Sequence, residues 1–257
     1  MVASGLPALA EEVARDAGAL LRGAFAGGRP TTATKTTPTD LVSEADTAAE
    51  ELIRTRLAAA RPEDGILGEE GSNSAGTSGL RWIVDPLDGT TNFLFGIPQW
   101  AVSIAAHDGE RTVAGVVYDP LRDECWSAAA DGDALLDGVP VRGSERSDLA
   151  TALVATGFGY DAGVRAAQGQ TVLRLLPRVR DIRRLGSAAL DLAWTAAGRF
   201  DAYYERGVQV WDFAAGALIC ERAGLAVAHL APAPPAPAGL LVAPAAIIEE
   251  LAELVDP

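Results

Sequence analysis

Two aspartates three positions apart, Asp85 and Asp88, stand in the string Trp82-Ile83-Val84-Asp85-Pro86-Leu87-Asp88-Gly89-Thr90-Thr91-Asn92-Phe93. The apolar run before Asp85 reads as a strand. Pro86 should break its ladder, and Asp88-Gly89 should turn the chain into a short helix. On such a turn both carboxylates and the Leu87 carbonyl between them can face one point. A donor set made only of oxygen suits a hard cation such as Mg²⁺. Gly89, Thr90 and Thr91 then open a helix, where unpaired N–H groups favour an anion such as phosphate. An Asp-x-x-Asp-Gly turn alone is also an ordinary end to a strand; the whole string points to chemistry.

Three other acidic segments can join it. Glu69 and Glu70 follow Ile66-Leu67-Gly68 at the end of a short strand, although paired glutamates are commonplace on a solvated surface. Trp211-Asp212-Phe213-Ala214-Ala215-Gly216 opens a helix of small residues, where Asp212 could simply be a cap. Asp46 closes Thr39-Asp40-Leu41-Val42-Ser43-Glu44-Ala45-Asp46 and has the same capping alternative.

These residues need elements to hold them. Leu6, Leu9, Ala10, Val13, Ala17, Leu20 and Leu21 repeat at helical spacing, and Gly27-Gly28-Arg29-Pro30 stops that helix. A second helix is expected from about Asp46 to Ala60. Short strands at 65–68, 81–85, 100–107, 113–118 and 124–129 alternate with Asp-Gly and Asp-Pro turns. Residues 1–147 thus read as an α+β half with a largely antiparallel sheet, carrying most of the acidic site. Residues 148–257 alternate strand and helix and read as an α/β half carrying Asp212. The Pro/Ala stretch from Ala231 to Gly239 is a stiff connection between strands.

Composition narrows the class. Of 257 residues, 49% are hydrophobic, with no run near the roughly 18 apolar residues of a membrane span. Charges at Glu11, Glu12, Arg15 and Asp16 interrupt the first apolar stretch, so it is expected to be a mature helix and the protein cytoplasmic. A formal net charge of −14 argues against nucleic-acid or membrane partners. Cys125 and Cys220 lack metal-ligand spacing and read as buried thiols; His107 and His229 stand alone at strand ends.

Taken together, the acidic segments resemble the inositol monophosphatase family of lithium-sensitive, Mg²⁺-dependent phosphatases. The resemblance runs from about Leu20 to Ala243 and is most specific at Trp82–Phe93 and Val210–Gly224. Asp181-Ile182-Arg183-Arg184-Leu185-Gly186-Ser187-Ala188-Ala189-Leu190-Asp191-Leu192-Ala193 and Phe200-Asp201-Ala202-Tyr203-Tyr204-Glu205 are similar to the bacterial members. Leu225 stands where the family usually has a second glycine after Gly224, a local departure beyond the acidic groups.

The resemblance implies a layered α-β-α-β-α sandwich, a homodimer, and two or three Mg²⁺ per site. It implies that Glu69, Asp85 and the Leu87 carbonyl hold one ion and that Asp85, Asp88 and Asp212 hold another. Asp46 and Thr90 would orient the attacking water, with Glu70 an auxiliary carboxylate. Gly89 and Thr90 would donate N–H groups to phosphate, and Ala188 and Glu205 would face the inositol ring. Lys35 and Asp40 fall on a loop near the metals. The implied reaction is hydrolysis of inositol monophosphate to inositol and phosphate by metal-activated water. Two alternatives stand beside it. One is histidinol-phosphate or another small-molecule phosphatase activity, for which Arg183-Arg184 is the only adjacent basic pair in the second half's motifs. The other is a regulatory protein-binding module that keeps the phosphatase fold.

Overall fold

The structure is a computed structural model describing residues 5–27, 32–34 and 41–256. Helix α1 (Leu6–Ala26) buries Leu6, Ala10, Val13, Ala14, Ala17 and Leu21 along one stripe and ends where glycine begins. A small antiparallel pair, β1 (Thr32–Thr34) and β2 (Leu41–Ser43), leads into α2 (Glu44–Ala60). Helix α2 starts two residues before the expected Asp46, and its inward face carries Asp46 and Glu50 as well as Ala49, Ile53 and Leu57.

The next elements are β3 (Gly65–Gly68), β4 (Asn73–Ser74), β5 (Arg81–Asp88), α3 (Thr90–Leu94), β6 (Ala101–His107), β7 (Thr112–Asp119), β8 (Glu124–Ala129), β9 (Leu135–Leu136) and β10 (Val139–Pro140). They build a sheet in the order β10-β9-β8-β7-β6-β5-β3-β4, antiparallel except where β3 runs parallel to β5. Pro86 does not end its strand as expected. Asp85 lies opposite Ser103 but Asp88 lies opposite Ala101, so three steps on β5 face two on β6. The extra residue forms a bulge that accommodates the missing proline N–H while pairing resumes at Asp88.

The remaining elements are β11 (Leu153–Thr156), α4 (Ala162–Leu175), β12 (Asp181–Arg183), α5 (Ala188–Ala196), β13 (Ala202–Arg206), α6 (Val210–Arg222), β14 (Ala226–Leu230), β15 (Gly239–Ala243) and α7 (Ile248–Val255). Their sheet has the order β12-β11-β13-β15-β14. It is parallel through β12, β11 and β13, then antiparallel through β15 and β14.

Helices α1 and α2 cover the outer face of the first sheet, α5 and α6 lie between the sheets, and α4 and α7 cover the outer face of the second. The result is the α-β-α-β-α sandwich. Its three apolar cores explain the abundance of Ala on α5 and α6, since a helix sandwiched between two sheets must be apolar and small on nearly every side. Both cysteines are buried, as expected. Among the described residues, no helix is long and apolar enough to cross a membrane.

Candidate active site

The bulge in β5 delivers Asp85, which is 1% exposed, to the boundary between the first sheet and the α5/α6 layer. Glu69 comes from the loop leaving the neighbouring β3, its N–H donating to the Val84 carbonyl at 3.1 Å. Asp212 comes from the first turn of α6. Carboxylate oxygens of Glu69, Asp85 and Asp212 lie within 4.8 Å of one another. Asp85 Oδ1 accepts the Leu87 N–H at 3.0 Å, and Asp212 Oδ2 accepts the Gln209 N–H at 2.6 Å.

Crowding so many carboxylates has an electrostatic consequence. Burial, then the charges of Glu69, Asp88 and Asp212, push the Asp85 carboxyl well above the usual carboxylate range. Burial and Asp88 do the same to Asp212, against the pull of the Gln209 N–H. Asp88 is pushed up to about 6 by burial, while the Ser187 hydroxyl and the Ala189 N–H oppose the rise. Mutual repulsion of this kind is relieved by a cation, and an all-oxygen donor set fits a hard divalent ion.

Beside the cluster, the Thr90 hydroxyl lies 2.9 Å from Asp46 Oδ1 and 3.0 Å from the Leu87 carbonyl. Asp46 is 1% exposed and sits in the first turn of α2, where its Oδ1 accepts the Thr90 hydroxyl. Gly89 stands before α3 at φ +97°, and a Cβ there would lie 2.9 Å from the Gln99 carbonyl. Only glycine allows that left-handed step and close approach together.

The second sheet's layer closes the site from above. Ser187 caps α5, and its hydroxyl donates to Asp88 Oδ2 at 2.6 Å; the Ala189 N–H donates to the same oxygen at 2.7 Å. Asn92 on α3 donates to the Gln99 carbonyl at 2.7 Å and to the Leu185 carbonyl at 2.8 Å, tying the turn to the loop before Ser187. Between these groups lies a cavity of about 140 Å³ lined by Asp88, Gly89, Ala188, Glu205, Asp212 and Arg184, among others. Glu205 Oε2 accepts the Tyr203 hydroxyl at 3.1 Å. Burial pushes the Glu205 carboxyl up to about 7 although Arg184 opposes it. A larger groove of about 480 Å³ runs beside α6, includes His107 and His229, and contains none of the clustered carboxylates. The smaller cavity adjoins the chemistry.

A profile of the inositol monophosphatase family matches residues 4–256. The chain belongs to that family. It is 45% identical to the inositol-1-monophosphatase SuhB of Mycobacterium tuberculosis, over 96% of this chain and 91% of the relative. A protein of Xylella fastidiosa named Nus factor SuhB is 45% identical over 72% of this chain and 67% of the relative. The crystal structure of the extragenic suppressor protein suhB from Bartonella henselae superimposes with a TM-score of 0.91 at 35% identity, covering 98% of each chain. Inositol monophosphatases are phosphatases, and the acidic cluster is a place where this chain could hold metal.

Of the residues singled out in the sequence, Glu69, Asp85, Asp88 and Asp212 come together, with Leu87, Gly89 and Thr90 on the same turn. Ala188 and Glu205 line the adjoining cavity. Glu70 follows Glu69 on the β3 loop, and its N–H donates to Glu50. Lys35 and Asp40 lie outside the described residues. Sequence reasoning did not single out Glu50, Asn92, Ser187 or Asp191, which lie beside this cluster, and considered Arg184 only as half of a basic pair. Asp191 is 1% exposed, neither of its oxygens has a hydrogen-bond partner, and burial pushes it well above the carboxylate range. Its signal was one charge inside the otherwise apolar run Ala188-Ala189-Leu190-Asp191-Leu192-Ala193.

Proposed function

We propose that this chain hydrolyses inositol monophosphate to inositol and phosphate with the help of Mg²⁺. The observation that carries the reading is the convergence of Glu69, Asp85 and Asp212 beside Asp88 at the edge of a small polar cavity. That cavity is smaller than the roughly 300–1,000 Å³ of drug-sized pockets, which suits a compact alcohol.

Glu69, Asp85 and the Leu87 carbonyl would hold one ion, and Asp85, Asp88 and Asp212 a second. When bound, divalent ions supply Lewis-acid neutralisation of the phosphoryl and leaving oxygens and lower the pKa of water. The chain's own groups do the rest. With its proton given to Asp46, the Thr90 hydroxyl turns a lone pair outward and can accept a hydrogen bond from the attacking water. The N–H groups of Gly89 and Thr90, at the start of α3, would orient the phosphate oxygens. Glu70 would assist as an auxiliary carboxylate. Water would attack phosphorus in line, giving up one proton to the neighbouring carboxylates and through them to solvent; the ester P–O bond breaks, its electron pair leaves with the alkoxide oxygen, and the alkoxide takes one proton back from solvent. Glu205 would accept from ring hydroxyls while Ala188 leaves space for the ring. A homodimer, lithium sensitivity and a cytoplasmic location belong to the same reading.

The test is phosphate release from inositol 1-phosphate and from histidinol phosphate, with EDTA and then with added Mg²⁺. Release that stops in EDTA, returns with Mg²⁺ and favours inositol 1-phosphate supports the reading. Metal-independent release refutes the metal role, and preference for histidinol phosphate refutes the substrate.

A second reading, a regulatory binding role, is favoured by the likeness to a protein named as a Nus factor. It predicts that partner capture by the tagged chain survives Asp88→Asn, whereas hydrolysis does not.

A further inference from the structure

Helix α2 presents two buried carboxylates one turn apart. Asp46 meets Thr90, but Glu50, 4% exposed, takes no part in the chemistry above. Glu50 Oε2 accepts the N–H of Glu70 at 2.8 Å, and its Oε1 accepts the N–H of Ser72 at 2.9 Å. Both donors belong to the loop that carries Glu69. The loop also closes on itself, with the Gly68 N–H donating to the Ser72 carbonyl at 2.6 Å. Gly68 makes room for the clamp, because a Cβ there would lie 2.3 Å from Glu50 Oε2. Glu69 is therefore pinned on both sides: its own N–H is bound to β5, and the next N–H is bound to Glu50.

We propose that Glu50 is a positioning residue, holding the 68–72 loop so that the Glu69 carboxylate stays in register with Asp85 and Asp212. The inference rests on the reading of that cluster as a metal site. A carboxylate is required because both oxygens must accept. Glutamine offers one acceptor and turns an N–H₂ group toward the other donor. Buried backbone N–H groups bound to a carboxylate are held more strongly than those bound to a neutral acceptor. The loop's preorganisation should then depend on the charge of Glu50 and not merely on its bulk.

The test measures Mg²⁺ binding by calorimetry, together with hydrogen exchange of the Glu70 and Ser72 amides, in wild type, Glu50→Gln, Gly68→Ala and Glu69→Gln. A role outside the metal's own ligands is expected to cost about 10–100-fold in affinity. Glu50→Gln should weaken Mg²⁺ binding by that factor and speed exchange at both amides. Its activity loss should fall mainly on the Mg²⁺ concentration needed for half-maximal rate. Gly68→Ala, which displaces the same carboxylate from the other side, should weaken binding similarly, and the double variant should lose less than the two losses multiplied. If Glu50→Gln fails to fold, Gly68→Ala carries the test alone. Wild-type affinity and exchange in whichever variant folds overturn the proposal. If instead Glu69→Gln binds Mg²⁺ as wild type does, or wild type does not bind it, the metal-site reading itself fails.

Discussion

Replacing Asp88 with asparagine should make the protein more stable without metal while destroying its activity. Ser187 and Ala189 both donate to Oδ2. An asparagine can keep both bonds by placing its carbonyl oxygen there, with its amide taking the place of Oδ1. What it loses is charge. Asp88 titrates at about 6 in the folded chain against an ordinary value of 3.8. At about 1.4 kcal/mol per pKa unit, ionised Asp88 costs the folded state about 3 kcal/mol. Asp88 keeps some exposure to solvent, so this is an upper figure. The sign follows from a raised carboxyl. Below pH about 4 the group is protonated in both states and costs nothing; the cost accumulates as pH rises and is complete above about 6. The stability gain of Asp88→Asn in EDTA should be about 1 kcal/mol at pH 4.5 and about 3 kcal/mol at pH 7.5. For a chain of this size the latter is roughly 6–12 °C in Tm. Mg²⁺ should largely cancel the difference at pH 7.5, since an ion held 100-fold above its Kd stabilises wild type by about 2.7 kcal/mol and the variant by much less. Turnover should fall more than about 100-fold. Thermal melts in EDTA and in Mg²⁺ at the two pH values, with phosphate release alongside, provide the assay. A variant that melts at or below wild type in EDTA at pH 7.5, or that retains turnover, would refute the reasoning.

Thr90→Val removes the hydroxyl shared by Asp46 and Leu87 and should lower kcat by about 10²–10⁴-fold, with a smaller effect on calorimetric Mg²⁺ affinity; Thr90→Ser should retain most of the rate. An equal loss in the serine variant would contradict the role given to the hydroxyl. Because Glu205 titrates at about 7, its ionised, accepting form is lost as pH falls through 7. KM for inositol 1-phosphate should therefore rise from pH 8 to pH 6 in wild type, and Glu205→Gln should show a flatter KM profile over that range; parallel profiles would count against it. Ala188→Leu intrudes on the 140 Å³ cavity and should raise KM about tenfold, the equivalent of ~1.4 kcal/mol, leaving Mg²⁺ binding intact. Unchanged KM would place the alcohol elsewhere.

Much of the architecture was legible because its causes are local. The stripe of Leu6, Ala10, Val13, Ala17 and Leu21 repeats with the period of a helix, and that stripe is buried. The turn after Asp88 was legible because glycine and the helix that follows are neighbours in the chain. Pro86 interrupts the ladder, as read, but the strand resumes at Asp88; that resumption depends on the partner strand, and whether β6 could skip a residue is not written near Pro86. Asp212 and Asp46 each allowed a capping interpretation, and Asp212 does cap, its Oδ2 accepting the Gln209 N–H in a capping box at the start of α6 while it also joins the cluster. Their outward partners, Asp88 and Thr90, are far away in sequence.

The supporting groups were the least legible. Glu50 looks like any charge on an amphipathic helix, and Ser187 like any N-cap; their tasks are set by Glu70, Ser72 and Asp88, which other layers bring to them. By itself the sequence determined which oxygen donors exist and the local backbone that carries Asp85, Asp88 and Gly89, because side-chain chemistry and turn preference are properties of short segments. Only the tertiary structure decided that Glu69, Asp85 and Asp212 share a space 4.8 Å across. That convergence depends on the parallel register of β3 with β5 and on the seating of α6 between two sheets, and pairing and packing act between segments far apart in the chain.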